Sequence, residues 1–138
     1  MREKAMSTEA ALQSKLASGQ FESEDLIPFF EFLAQRGNED AEMQDEVEGW
    51  SGVIQFRLEG LGDAWLAVKD GVFEFGRGQQ NAPAVTLTMP AADAARLFTG
   101  QLDPAEAVGT GVLRIEGDMT AALRLQALVE IAMDALAG

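Results

Sequence analysis

The sequence predicts an α+β fold in which a five-stranded, largely antiparallel sheet carries its helices on one face. Residues 49–138 alternate short strands, tight turns and helices, whereas residues 1–48 contain no convincing strand. The Asp70–Gly71 pair is typical of a two-residue hairpin turn, because both residue types tolerate positive φ. Apolar and polar side chains alternate along several segments, which indicates strands with one buried face. We therefore expect one compact domain, with a helical region at 1–48 and a core at 49–138.

The N-terminal region predicts helices that precede the sheet. Residues 7–18 form the first helix, and Ser23 is expected to be the N-cap of a second helix that ends with Gly37 in the C′ position. The apolar face of residues 26–33 is unusually wide. This face either packs on the sheet or a neighbouring helix, or it covers a ligand opening or pairs subunits. Residues 38–48 are acidic with few apolar positions and predict a solvated helix.

Segments of the core with alternating polarity predict the strands, at residues 52–59, 64–69, 72–77, 85–89 and 112–116. In the first of them, Ile54, Phe56 and Leu58 share one face. In the second, Trp65 lies on the face opposite Leu66, because successive side chains of a strand point to opposite sides.

The helices of the core are marked by their first residues and are expected at residues 90–100, 104–109 and 119–136. Pro90 fits the first turn of one helix, and Asp103 and Asp118 are N-caps of the other two. The last helix has a narrow polar stripe, and its apolar surface is wider than a single core requires. It is therefore buried on more than one side, or it borders an apolar cavity or a subunit interface.

The composition excludes several classes of function. The sequence has no cysteine and no histidine, so Ser–His and Cys–His catalytic pairs and metals bound by those residues are excluded. The net charge is −13 and the basic residues are scattered, which argues against a nucleic acid as partner. No apolar run is long enough to span a membrane, and no signal peptide is recognisable. We expect an acidic, cytoplasmic protein that is not an enzyme and uses no cofactor or metal.

Two stretches of the core resemble the sterol carrier protein type 2 family of lipid-transfer domains. The first, at 98–128, reads FTGQLDPAEAVGTGVLRIEGDMTAALRLQAL, and the second, at 54–75, reads IQFRLEGLGDAWLAVKDGVFEF. The family pattern has a Leu-x-x-Gly helix end, a short helix, a strand that ends in Gly-Asp, and a helix with a Leu-Gln pair. This sequence matches that pattern at Leu97–Gly100, Gly111–Leu113, Gly117–Asp118 and Leu125–Gln126, with Trp65 at the expected aromatic position.

The resemblance implies a sheet and helices that enclose an apolar tunnel, with no chemistry of their own. The implied function is binding and transfer of a hydrophobic ligand, such as a sterol, a fatty acid or a related lipid. A tunnel for a single-chain lipid would need about 300–500 Å³. With the apolar faces above, the resemblance predicts a cavity lined by Phe56, Trp65, Phe73, Phe75, Leu87, Phe98, Leu102, Val108, Met119, Leu123, Leu125, Leu128 and Met133.

The sequence gives less information about the residues that contact the polar end of the ligand and about the partners of the protein than about the apolar cavity. Arg96, Arg124 and Gln126 are candidate contacts for a polar head. A fatty acid or neutral lipid is favoured over a coenzyme A ester, because the sequence shows no basic cluster for several phosphate charges. The alternative function is a dimerising or substrate-presenting accessory module for a separate lipid-metabolising enzyme, with a homodimer as one expected form.

Overall fold

The strands form one mixed sheet with the first strand of the chain at its centre. In the computed structural model, which describes residues 2–137 and the side chains of residues 8–137, they are β1 (Gly52–Glu59), β2 (Gly62–Lys69), β3 (Val72–Arg77), β4 (Val85–Pro90) and β5 (Arg114–Gly117). Their order is β3-β2-β1-β4-β5. β1 is parallel to β4, and the other neighbouring strands are antiparallel. The predicted five-stranded, largely antiparallel sheet is confirmed.

Helices precede, interrupt and follow the sheet, and they are α1 (Arg2–Ser18), α2 (Leu26–Gly37), α3 (Ala41–Glu46), α4 (Ala91–Phe98), α5 (Pro104–Gly109) and α6 (Met119–Ala137). α2, α4 and α6 contact the strands. The side chains on the inner face of the sheet, such as Ile54, Phe56 and Leu66, are fully buried. This burial confirms the α+β architecture with one helix-covered face.

The start and end of α2 differ from the prediction. Ser23 is not an N-cap, because a short 3₁₀ turn (Ser23–Asp25) precedes the helix and the N–H of Glu22 donates to Asp25 Oδ2 at 2.9 Å. Gly37 is not at C′ but is the last residue of the helix, and its φ is not positive. A Cβ at this position would lie 2.7 Å from the Phe73 ring. Glycine is therefore required for close helix–strand packing.

The remaining boundaries differ by a few residues and have local causes. β5 begins at Arg114 rather than 112, because the N–H of Leu113 donates to the carbonyl of Ala107 at 3.0 Å and keeps this segment in the turn after α5. Pro90 ends β4 and is the N-cap of α4 rather than its first residue. The acidic helix α3 is short, and its sparse apolar residue Met43 is fully buried, so the helix is solvated on one side only.

The wide apolar face at 26–33 packs against the sheet and α4. Phe30 is fully buried, and its ring centroid lies 4.5 Å from that of Phe56, 5.7 Å from that of Phe75 and 5.6 Å from that of Phe98. We call Phe29, Phe30, Phe56, Phe75 and Phe98 the phenylalanine cluster. This cluster fills the space between α2 and the β1–β3 half of the sheet. The packing alternative for this face is therefore the one observed.

The N-cap of α5 gives a prediction for local stability. The carboxylate of Asp103 accepts a hydrogen bond from the N–H of Glu106 at 3.0 Å. Asp103→Ala should lower the free energy of unfolding by about 1 kcal/mol, because a backbone donor loses its partner. Asp103→Asn keeps an acceptor oxygen and should leave stability almost unchanged. Urea denaturation of the two variants tests this, and equal stability of both would contradict the capping role.

Candidate functional site

A large groove opens between α4, α5, the β4–β5 edge of the sheet, and α6. Its volume is about 1100 Å³. We call it the α5–α6 groove. α6 contributes more apolar residues to its wall than any other element, through Met119, Ala122, Leu123, Leu125, Val129 and Met133. The rest comes from Leu16 of α1, Leu87 and Ile115 of the sheet, Leu97 and Phe98 of α4, and Leu102, Pro104, Val108 and Leu113 around α5.

The groove has a buried apolar floor and an apolar mouth in contact with solvent. On the floor, Leu87 and Leu125 are only 4% and 3% exposed. At the mouth, Val108, Met119 and Leu123 are 46%, 55% and 59% exposed. Large apolar side chains grouped at the opening of an apolar groove are typical of a binding site. The site is therefore an open groove, whereas the sequence predicted an enclosed tunnel.

The two sides of α6 explain the unusual width of its apolar surface. One side packs into the core, where Ala121, Leu128, Ala132 and Leu136 are buried. The other side lines the α5–α6 groove. The sequence left open whether this helix is buried on more than one side or borders an apolar cavity. In the structure one side of α6 is buried in the core and the other side borders the groove.

The structure brings many of the predicted lining residues together in the groove, namely Leu87, Phe98, Leu102, Val108, Met119, Leu123, Leu125 and Met133. It places Phe56, Phe73, Phe75 and Leu128 elsewhere. These four pack in the core, because α2 and its phenylalanine cluster occupy the space that the prediction left for a ligand.

Trp65, which the resemblance placed in the cavity, also lies outside the groove lining. It is paired with Gln55 and Gly76 on the outer face of the sheet, while its neighbour Leu66 is buried on the inner face. A Cβ on Gly76 would lie 2.3 Å from the Trp65 ring, so the indole covers this glycine closely. The alternation of the strand fixes this orientation.

The predicted polar head contacts are separated by the structure. Arg96 Nη1 donates to Asp93 Oδ1 at 3.1 Å, outside the groove lining. Arg124 points away from the groove, where its guanidinium donates to the carbonyl of Glu46 and lies 5.7 Å from the centre of the Trp50 ring. Gln126 is an exposed residue of the groove lining.

The polar rim of the groove is acidic. Asp103, Glu130 and Asp134 are exposed members of the lining. Within residues 8–137, no lysine or arginine lines the groove. The site therefore combines an apolar floor and mouth with carboxylates and the Gln126 amide.

Several groove residues were missed from the sequence. Ala122, Val129 and Asp134 share a face of α6 with Met119 and Gln126 at helical spacing, so this pattern could have identified them. Leu16, Leu113 and Ile115 approach the groove from distant parts of the chain. The sequence pattern around each of these residues does not show that the fold brings them close to α6.

No helix within residues 2–137 is long and apolar enough to cross a membrane. Among the residues that the structure describes, no group of three or more acidic side chains is placed to hold a metal ion.

The model of the SCP-2 sterol transfer family matches residues 30–130 of the chain. The chain belongs to this family. The matched segment begins in α2 and contains α5 and most of α6. The family assignment confirms the resemblance seen in the sequence and supports lipid binding at the level of the family.

Among curated proteins, the chain is similar to the hydroxysteroid dehydrogenase-like protein 2 of Xenopus tropicalis, with 32% identity over 121 residues. The match covers 83% of this chain and 28% of that protein. The corresponding protein of Bos taurus is 33% identical over 94 residues, covering 65% of this chain and 22% of that protein. The chain thus spans about a quarter of the length of these relatives.

Among solved structures, the fold is similar to sterol carrier protein domain 2 of Helicoverpa armigera, with a TM-score of 0.59 and 22% identity. That match covers 82% of this chain and 90% of the other. At this identity, the likeness shows the fold alone.

Proposed function

We propose that the chain binds a sterol, a fatty acid or a related lipid in the α5–α6 groove and carries it without chemical change. The observation that carries this proposal is the open apolar mouth of Val108, Met119 and Leu123 over a buried apolar floor. Covering exposed apolar surface is favourable by about 25 cal/mol per Å². A ligand that spans floor and mouth removes much of this surface from water.

The size and openness of the groove fit such a ligand. The volume of about 1100 Å³ exceeds the size expected for one single-chain lipid. Because the mouth is open, water fills the groove when no ligand is bound, and an empty dry cavity is not required. The polar side chains of the groove are carboxylates, the amide of Gln126 and the hydroxyl of Thr99, and the sequence has no histidine or cysteine that could activate them. This supports carriage rather than catalysis.

A substitution at the mouth tests the proposal. Leu123 is 59% exposed, so Leu123→Gln should leave the stability almost unchanged. The same change should weaken binding of pyrene-dodecanol about tenfold, because the ligand loses an apolar contact worth about 1.5 kcal/mol. Pyrene fluorescence measured in a titration gives the affinity.

The matched control is Val72→Thr, which changes an exposed apolar residue of β3 outside the groove. This variant should bind the probe with the affinity of the original chain. Equal affinity of the Leu123→Gln variant and the original chain would contradict binding in this groove.

A second candidate function is an accessory module that presents a lipid to a separate enzyme or pairs subunits. The observation that favours it is that the matched region is a small part of relatives named as dehydrogenase-like proteins. Native mass spectrometry after mild organic extraction discriminates between the two functions. Bound lipid on a monomer supports the carrier, whereas a ligand-free dimer with an unchanged melting temperature favours the accessory module.

A further inference from the structure

We infer that, among the lipids proposed above, the α5–α6 groove prefers an amphiphile whose polar head is uncharged, so that a sterol or another neutral lipid binds more tightly than a fatty acid, whose head is negatively charged. This inference rests on the proposed function and adds the class of ligand. Its basis is the charge of the rim. Asp103, Glu130 and Asp134 are exposed carboxylates of the lining, and no basic side chain of residues 8–137 belongs to it.

The basic residues next to groove residues in sequence are all directed elsewhere. Lys15 is next to Leu16 in sequence, but its Nζ lies 3.4 Å from a carboxylate oxygen of Glu24 and 3.4 Å from one of Asp25. Arg96, beside Leu97, is paired with Asp93 at 3.1 Å.

The basic residues next to groove residues on β5 and α6 are also directed away from the groove. Arg114 lies 3.9 Å from Glu116, and both side chains are on the outer face of the sheet, opposite the inner-face Ile115. Arg124, beside Leu123, points to the carbonyl of Glu46. An anionic head in the groove would therefore meet carboxylates without a compensating cation from residues 8–137.

An uncharged head has suitable partners in the groove. The exposed amide of Gln126 offers both a donor and an acceptor to a hydroxyl group. The net charge of −13 adds a long-range field that repels anions and leaves neutral molecules unaffected. Local and long-range electrostatics therefore favour the same class of ligand.

Two probes with one tail test the inference on the full chain: pyrene-dodecanoate and pyrene-dodecanol. The carboxylate should bind about ten times more weakly than the alcohol, from the repulsion of several exposed carboxylates. The two heads also differ in hydration, so the ratio of the two affinities in the original chain does not by itself report repulsion. The test is therefore the change in this ratio when rim charges are removed.

The variant carries Glu130→Gln and Asp134→Asn, which remove two rim charges and preserve the shape of α6. Its affinity for the carboxylate should rise about fivefold, and its affinity for the alcohol should change less than about twofold. The matched control carries Glu31→Gln and Glu74→Gln, which remove two exposed charges outside the groove. The control should change neither affinity by more than about twofold.

An unchanged ratio of the two affinities in the rim variant would overturn the inference and leave the proposed function standing. Equal gains in the rim variant and the control would also overturn it, because the effect would then come from net charge. If neither probe binds the original chain, the proposed function fails, and the inference fails with it. A gain confined to the carboxylate in the rim variant supports both.

Discussion

Phe30→Ala should lower the free energy of unfolding by about 3–5 kcal/mol, because a fully buried ring is replaced by a cavity. The ring of Phe30 contacts those of Phe56, Phe75 and Phe98, so its removal affects α2, the sheet and α4 together. Aromatic contacts add about 0.5–1.5 kcal/mol per pair beyond the area that they bury. Urea denaturation measures the change in the midpoint.

The control for this prediction is Leu123→Ala, which removes an apolar side chain that is 59% exposed. This variant should differ from the original chain by less than about 0.5 kcal/mol. A loss of stability in Phe30→Ala no larger than in this control would mean that α2 is not part of the core. The N-terminal helical region would then be a separate appendage.

The second large effect is expected at Gly117, where β5 leads into α6. Its φ is +117°, and a Cβ there would lie 2.5 Å from the carbonyl oxygen of Ala84. The N–H of Asp118 donates to the same oxygen at 2.8 Å, so the backbone cannot simply move apart. Gly117→Ala should therefore cost about 4 kcal/mol, from backbone strain and steric overlap together. The same urea titration gives the value.

Gly60→Ala is the matched control for Gly117. Gly60 has a φ of +92°, and no atom lies within 4 Å of an added Cβ. This variant carries the backbone strain without the overlap and should cost about 1–2 kcal/mol. If both variants lose the same stability, the close approach to Ala84 is not a constraint on the start of α6.

Most of the fold was predictable because its signals are local. Alternation gave β1 and β3 with their exact residues, and the Asp70–Gly71 turn has positive φ at both positions, as predicted. The caps of α5 and α6 also follow the sequence: Asp118 Oδ1 accepts a hydrogen bond from the N–H of Thr120 at 2.9 Å. Such features depend on a few neighbouring residues, so no tertiary information is needed.

The candidate site was only partly predictable, because its position depends on which helix packs over which part of the sheet. The apolar pattern identified Leu123 and Met133, but it could not separate groove residues from core residues such as Phe56. Gln55 is a further example: strand alternation places this polar residue on the face opposite Ile54 and Phe56, yet it is only 3% exposed. Its side chain accepts from the N–H of Gln80 and donates to the carbonyl of Gly78, which lie after β3 and more than twenty residues away in the sequence.

The most direct test of the central claim is to locate a bound amphiphile on the chain. A hexadecanol that carries a diazirine in its tail would be photo-cross-linked to the protein, and the labelled residues would be identified by mass spectrometry of peptides. We predict labels at the α5–α6 groove, on residues such as Leu102, Val108, Met119 and Leu123, that disappear with excess unlabelled hexadecanol. Labels concentrated near Trp65 on the outer face, or labels that excess hexadecanol does not reduce, would contradict the account.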